Sequence, residues 1–215
     1  EYAQMYLSDE KYEEVILEYD YVAGYTPNII SRTLFKGRID EYCIKDRIIE
    51  KVDDEINYID SKSQYNEDDI MHLREKYQDW NSKGSKLVLH ILYLNGKWTD
   101  ENVLGLSYGG NNIVIFKDSI INVAQKSSSL SPDDVESSVL VHELGHILSL
   151  VGIDYKSDHE NSEYRHHCNE EEGPCVMAAS VEIVVGGISR EPPTDFCGLC
   201  KDDLAIIKNK EDKIG

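Results

Sequence analysis

Apolar positions fall into alternating, helical and continuous runs that together predict an order of elements. In KYEEVILEYDYVAGY (residues 11–25), alternating β-branched and aromatic residues lead up to Pro27, the pattern of a first strand. Between Asn28 and Cys43 the apolar residues Ile30, Leu34 and Ile39 fit a helix lying on a sheet. IIEKVDDEI (48–56) reads as a second strand and DDIMHLREKYQDW (68–80) as a second amphipathic helix. LVLHILYL (87–94) forms a continuous apolar run closed by Asn95-Gly96, as expected of a central strand covered on both faces. NNIVIFKD (111–118), introduced by Gly109-Gly110, is shorter and mixed and predicts a strand at the sheet edge. Ser131-Pro132-Asp133-Asp134 starts a helix, with Pro at its first position and acids in its first turn, that runs to about Leu148. A last helix is expected around Lys201–Lys210. Strand, helix, strand, helix, strand, edge strand and long helix make an α/β lobe.

No internal repeat, low-complexity tract or Pro/Gly-rich linker interrupts the 215 residues, so one domain is expected over 1–215. Its α/β lobe spans about 1–150, and a C-terminal subdomain of about 151–215 is richer in turn formers and cysteines. With 22 Lys+Arg against 41 Asp+Glu the formal charge is −19, which argues against a nucleic-acid or anionic-membrane partner, because both reward clustered cations. Acidity favours cationic or neutral partners only weakly, since it ordinarily serves solubility. No window reaches the ~18 apolar residues of a membrane helix and no secretory leader is visible, so a soluble chain is expected. It begins at Glu1, which leaves open both a cytoplasmic protein and an ectodomain whose leader or anchor has been removed. The oligomeric state is not indicated.

The chemistry gathers on the long helix. His142, Glu143 and His146 form HELGH, and positions i and i+4 share one helix face, so both imidazoles can bind one metal ion while Glu143 lies beside it. The plain alternative is an amphipathic helix with surface His and Glu. Val139, Leu140, Val141, Leu144, Ile147 and Leu148 make the helix apolar around its circumference, and a buried Glu between two histidines calls for a partner such as zinc. A catalytic zinc takes three protein ligands and leaves one position open. The metzincin pattern HExxHxxGxxH would supply the third, but Ser149 stands in place of its Gly and Gly152 in place of its last His. A ligand displaced downstream leaves His159, His166, His167, Asp154 and Asp158 as candidates.

Four of the five cysteines, Cys168, Cys175, Cys197 and Cys200, lie near the C-terminus in two pairs, the second a CxxC. That spacing suits one tetrahedral thiolate zinc centre better than two disulfides. Cys43 is expected to be a plain buried thiol. The order HExxH, then His167-Cys168, Cys175, Met177 and CGLC, resembles the archaemetzincins over residues 142–200. The resemblance implies a metzincin-like fold: a twisted, mostly parallel sheet with one antiparallel edge strand, an active-site helix, and a small irregular zinc-stabilised C-terminal subdomain. It implies His142, His146 and His167 as ligands of a catalytic zinc and Glu143 as general base. It also implies Cys168, Cys175, Cys197 and Cys200 around a structural zinc, and Met177 as the Met-turn residue. The chain departs at Ser149, by about fifteen extra residues before the third His, and by two between the first two Cys. A further similarity, to uncharacterised bacterial and archaeal metalloproteases that carry a His where His159-Glu160 sits, keeps His159 as the rival third ligand.

The expected activity is a zinc endopeptidase acting on a peptide or protein laid antiparallel to the edge strand near Asn112–Phe116. A catalytically inactive zinc-stabilised binding module and a zinc hydrolase of a non-peptide substrate are the alternatives.

Overall fold

The computed structural model describes residues 2–100, 102–127, 129–153, 156–182 and 192–208, with the backbone alone at 53, 54 and 182. In chain order the elements are α1 (Tyr2–Leu7), β1 (Glu14–Val22), α2 (Ile29–Tyr42), β2 (Arg47–Ile56), β3 (Gln64–Tyr65), α3 (Glu67–Tyr77) and β4 (Lys86–Leu94). There follow β5 (Lys97–Trp98), β6 (Gly105–Tyr108), β7 (Asn112–Phe116), α4 (Lys117–Gln125), α5 (Pro132–Ile147), α6 (Ala179–Glu182) and α7 (Gly198–Lys208). The expected last helix thus begins earlier, at Gly198, and its predicted positions 209–210 lie outside the described residues.

The main sheet runs β2-β1-β4-β7-β6, parallel throughout except for the β6–β7 pair. β4 has strands on both sides and only its first residue, Lys86, is exposed, as its apolar run predicts. The expectation for residues 111–118 is corrected: β7 lies between β4 and β6, and β6 is the border strand. A border strand bares one side of its ladder and tolerates half-exposed residues. All five positions of NIVIF are buried, whereas three of the four in GLSY are half-exposed. Gly109 and Gly110, with φ of 60° and 70°, form the hairpin turn between the two strands, a backbone that favours glycine. The border position expected at Asn112–Phe116 is therefore held by residues 105–108.

Alternate side chains of the sheet feed two apolar layers. Val15, Leu17, Tyr19, Leu89, Ile91, Ile113 and Ile115 pack with Phe35 and Ile39 of α2, Ile120 of α4, and Val135 and Val139 of α5. Val22, Ile56, Leu92, Leu94, Val114 and Phe116 pack on the other face with Ile70 and Leu73 of α3 and with Tyr65. Trp98 joins this second layer against Phe116, while Trp80 is 40 % exposed beneath the Lys51 ammonium.

α5 is buried along nearly its whole length. Its start matches the sequence signals: the Ser131 hydroxyl accepts from Asp134 N, the Asp134 carboxylate accepts from Ser131 N, and Pro132 opens the first turn. Glu136, fully buried on this helix, accepts from Asn28 N at 3.1 Å and Tyr93 OH at 3.1 Å and pairs with the Lys117 ammonium. The helix is thereby tied to β4 and to the starts of α2 and α4.

Candidate metal centres

His142 and His146 stand one turn apart on α5, with their Nε2 atoms 3.0 Å apart. The third member is His167: one ligand atom from each of His142, His146 and His167 lies within 4.8 Å of the others. The rings stand about a common point, His167 at 5.1 Å from each of the other two between centroids. Second contacts set the tautomers. His142 Nδ1 donates to the Val176 carbonyl at 2.7 Å and His167 Nδ1 to the Arg165 carbonyl at 2.8 Å, because a carbonyl can only accept. Each of these two rings therefore carries its lone pair on Nε2, the arrangement that metal-ligating imidazoles use. Tetrahedral zinc, with Zn–N bonds of about 2.0–2.1 Å, sets neighbouring nitrogens about 3.3 Å apart, close to the spacing of His142 and His146. The donor set fits the ion.

The chain reaches His167 by leaving α5 abruptly. Ser149 N donates to His146 O at 3.0 Å and Leu150 N to Gly145 O at 2.9 Å, the paired bonds that close a helix when the residue between turns left-handed. That residue is Ser149, with φ of 60°, so the bend forms where the metzincin pattern has glycine. Val151 and Gly152, at φ of 55° and 81°, carry the turn onward. A Cβ on Gly145 would fall 2.0 Å from Met177 Sδ, so Met177 packs directly against α5 and the G of HELGH is dictated by that approach.

A cleft of about 390 Å³ opens above, between residues 106–110 on one side and Glu143, His146 and His167 on the other. Glu143 is 1 % exposed, and a Cβ on Gly105 would come within 3.3 Å of its Oε1, so the border strand runs directly over the carboxylate. Arg165 and His166 line the same cleft. Sequence reasoning counted His166 among the candidate third ligands and did not single out Arg165; adjacency to His167 is the one signal that could have placed both at the cleft. Asp158 is exposed, and Asp154 lies outside the described residues.

Cys168, Cys175, Cys197 and Cys200 form a second group, again with ligand atoms within 4.8 Å. Zn–S bonds of about 2.3 Å set tetrahedral sulfurs about 3.8 Å apart, and Cys168–Cys197 and Cys175–Cys200 measure 3.7 and 3.5 Å. Sulfur hydrogen bonds from Cys168 and Cys200 pull Cys175 far below the ordinary thiol range, as suits a thiolate donor. Cys43 stands apart, and burial pushes its thiol up to about 12. His159 lies beside the cysteines and outside the histidine group, with Nε2 3.4 Å from Cys200 Sγ.

A parallel sheet with one antiparallel border strand, a buried HExxH helix and a cysteine cluster near the C-terminus define a metzincin-like α/β architecture. No family model and no curated protein match the chain by sequence. Among solved structures it is similar to the archaemetzincin of Methanopyrus kandleri, at 14 % identity and a TM-score of 0.54, covering 94 % of this chain and 99 % of that one. The archaemetzincin of Archaeoglobus fulgidus, crystallised with malonate, aligns at 15 % identity and a TM-score of 0.47, covering 88 % of this chain and 98 % of that one. The Methanopyrus likeness gives this chain an archaemetzincin-like fold.

Proposed function

We propose that the chain is a zinc-dependent endopeptidase with one catalytic and one structural zinc. The observation that carries this reading is the meeting of His142, His146 and His167 beside Glu143 on the floor of a cleft bordered by β6, which among the described residues pairs only with β7. His142, His146 and His167 hold the catalytic ion, and the four cysteines hold the structural one. When bound, the catalytic zinc supplies Lewis acidity toward a peptide carbonyl and acidifies a water. Glu143 would take a proton from the attacking water on a carboxylate oxygen as its oxygen bonds the carbonyl carbon, and hand that proton to the amine as the C–N bond breaks. β6 offers its backbone donors and acceptors to an extended peptide and fixes its direction across the helix.

Side chains of such a peptide alternate between the two faces of β6. Gly105 and Ser107 face the α5 side. Leu106 and Tyr108 share the register and face of Val114 and Asn112, where they meet an apolar recess of about 270 Å³ lined by Ile70, Met71 and Trp98. Apolar residues at alternate positions of the substrate are favoured.

The zinc-loaded chain and its Glu143→Gln variant, assayed on an unfolded protein and a fluorogenic peptide mixture, test the reading. Hydrolysis by the wild type and a loss of at least about 100-fold in the variant are expected, with metal content unchanged. A wild type that loads both centres and cleaves nothing is a binding module or acts on another substrate class.

A further inference from the structure

We propose that His159 is a positioning residue of the cysteine centre: its Nε2–H steadies the Cys200 thiolate, and by docking there it pins the excursion that delivers His167. The inference rests on reading the four cysteines as a metal centre. His159 is 5 % exposed, and a buried imidazole requires partners at both nitrogens. On the Nε2 side stand Cys200 Sγ at 3.4 Å and Asp203 Oδ2 at 3.5 Å, both on α7 and one turn apart. Thiolate and carboxylate only accept, so Nε2 carries the proton. The Ser157 hydroxyl completes the cluster, 3.0 Å from Nδ1 and 3.3 Å from Asp203 Oδ2, with its one proton shared between the two.

Four thiolates around a dication leave two negative charges in a largely buried place, and N–H donors to sulfur stabilise them. Glu170 N serves Cys168 at 3.4 Å and Cys197 N serves Cys175 at 3.4 Å. His159 does the same for Cys200, and the backbone N–H of Cys200 serves Cys197. His159 is not a ligand itself, for four sulfurs complete a tetrahedral set and its nitrogens fall outside that group. Its backbone carries the consequence onward: Asn169 N donates to His159 O at 2.9 Å, Asn161 N donates to His167 O at 2.6 Å, and Glu160 bridges Cys168. Seating the His159 ring therefore sets the paired segment from which His167 reaches α5.

The full chain charged with Co²⁺ separates the centres, because only thiolate ligation gives intense charge-transfer absorption. Under a chelator, His159→Ala is expected to lose that absorption about 10-fold faster than wild type or more. His159→Gln, which keeps an N–H donor near the Nε2 position, is expected to stay within about 3-fold. A His159→Ala variant that holds the thiolate bands like wild type overturns the proposal, as does one that loses only the histidine-bound ion. Where His159→Ala does not fold, Ser157→Ala decides: faster release by a smaller factor is expected, and an unchanged rate overturns it. Peptide hydrolysis is not the readout, so a chain that cleaves nothing leaves this result standing. A wild type that shows no thiolate bands on cobalt removes it.

Discussion

Ser149 holds a backbone conformation that a β-carbon disfavours, at the point where the chain must leave α5. A left-handed non-glycine residue costs roughly 1–2 kcal/mol, which the two closing hydrogen bonds and the burial of Leu150 offset. Ser149→Gly is therefore expected to raise unfolding free energy by about 1 kcal/mol, read as a higher urea midpoint at unchanged slope. At this scale the legible residues were those whose chemistry is local: His142, Glu143 and His146 on one helix, and the CxxC. The choice between His159 and His167 was not legible, because it depends on which carbonyl orients each ring and on how the excursion folds back. Asp20 and His90 were also passed over. Each interrupts an apolar strand run, and only the parallel register of β1 and β4 brings them together, 2.6 Å apart and fully buried.

α5 is the element on which the candidate site depends, and its own anchor is electrostatic. Glu136 is buried with the Lys117 ammonium as its cation, and a buried carboxylate stripped of its partner charge is costly. Lys117→Met keeps the stem and removes the charge. It is expected to destabilise the fold by about 3–5 kcal/mol in urea or thermal unfolding, with the ends of α4 and α5 exchanging amide protons faster. Long elements with a clear period were legible: β1, α2, β4 and α5 fall within a few residues of their expected places. β6 was missed because four residues give no period to count, and Gly109-Gly110 were taken as the opening of β7 when they join it to β6. α4 was missed because it follows β7 without a loop, so Lys117 and Asp118 look like the end of a strand.

The molecule couples two metal-binding groups through one stretch of chain. Val176, whose carbonyl orients His142, sits between Cys175 and Met177, and His167 precedes Cys168. From 148 to 197 the described residues hold a single four-residue helix, so a metal ion held by the four cysteines would carry much of that region's order. Chelation is expected to open it first: limited trypsin digestion of the metal-stripped chain should cut at Lys156 and Arg165 before any site between 14 and 147. First cuts within the sheet would show that the metal is not what holds the C-terminal part. No helix among the described residues is long and apolar enough to cross a membrane. Among the described residues β6 pairs only with β7, and an open strand border welcomes any extended chain, including the border of a second copy. Mutual repulsion from a net charge of −19 opposes that encounter over a range of about 8 Å at physiological salt. Light scattering in rising sodium chloride is expected to show self-association as this repulsion is screened, and none at low salt. The acidity that says little about partners then serves as colloidal protection, keeping the border clear of the protein's own twin.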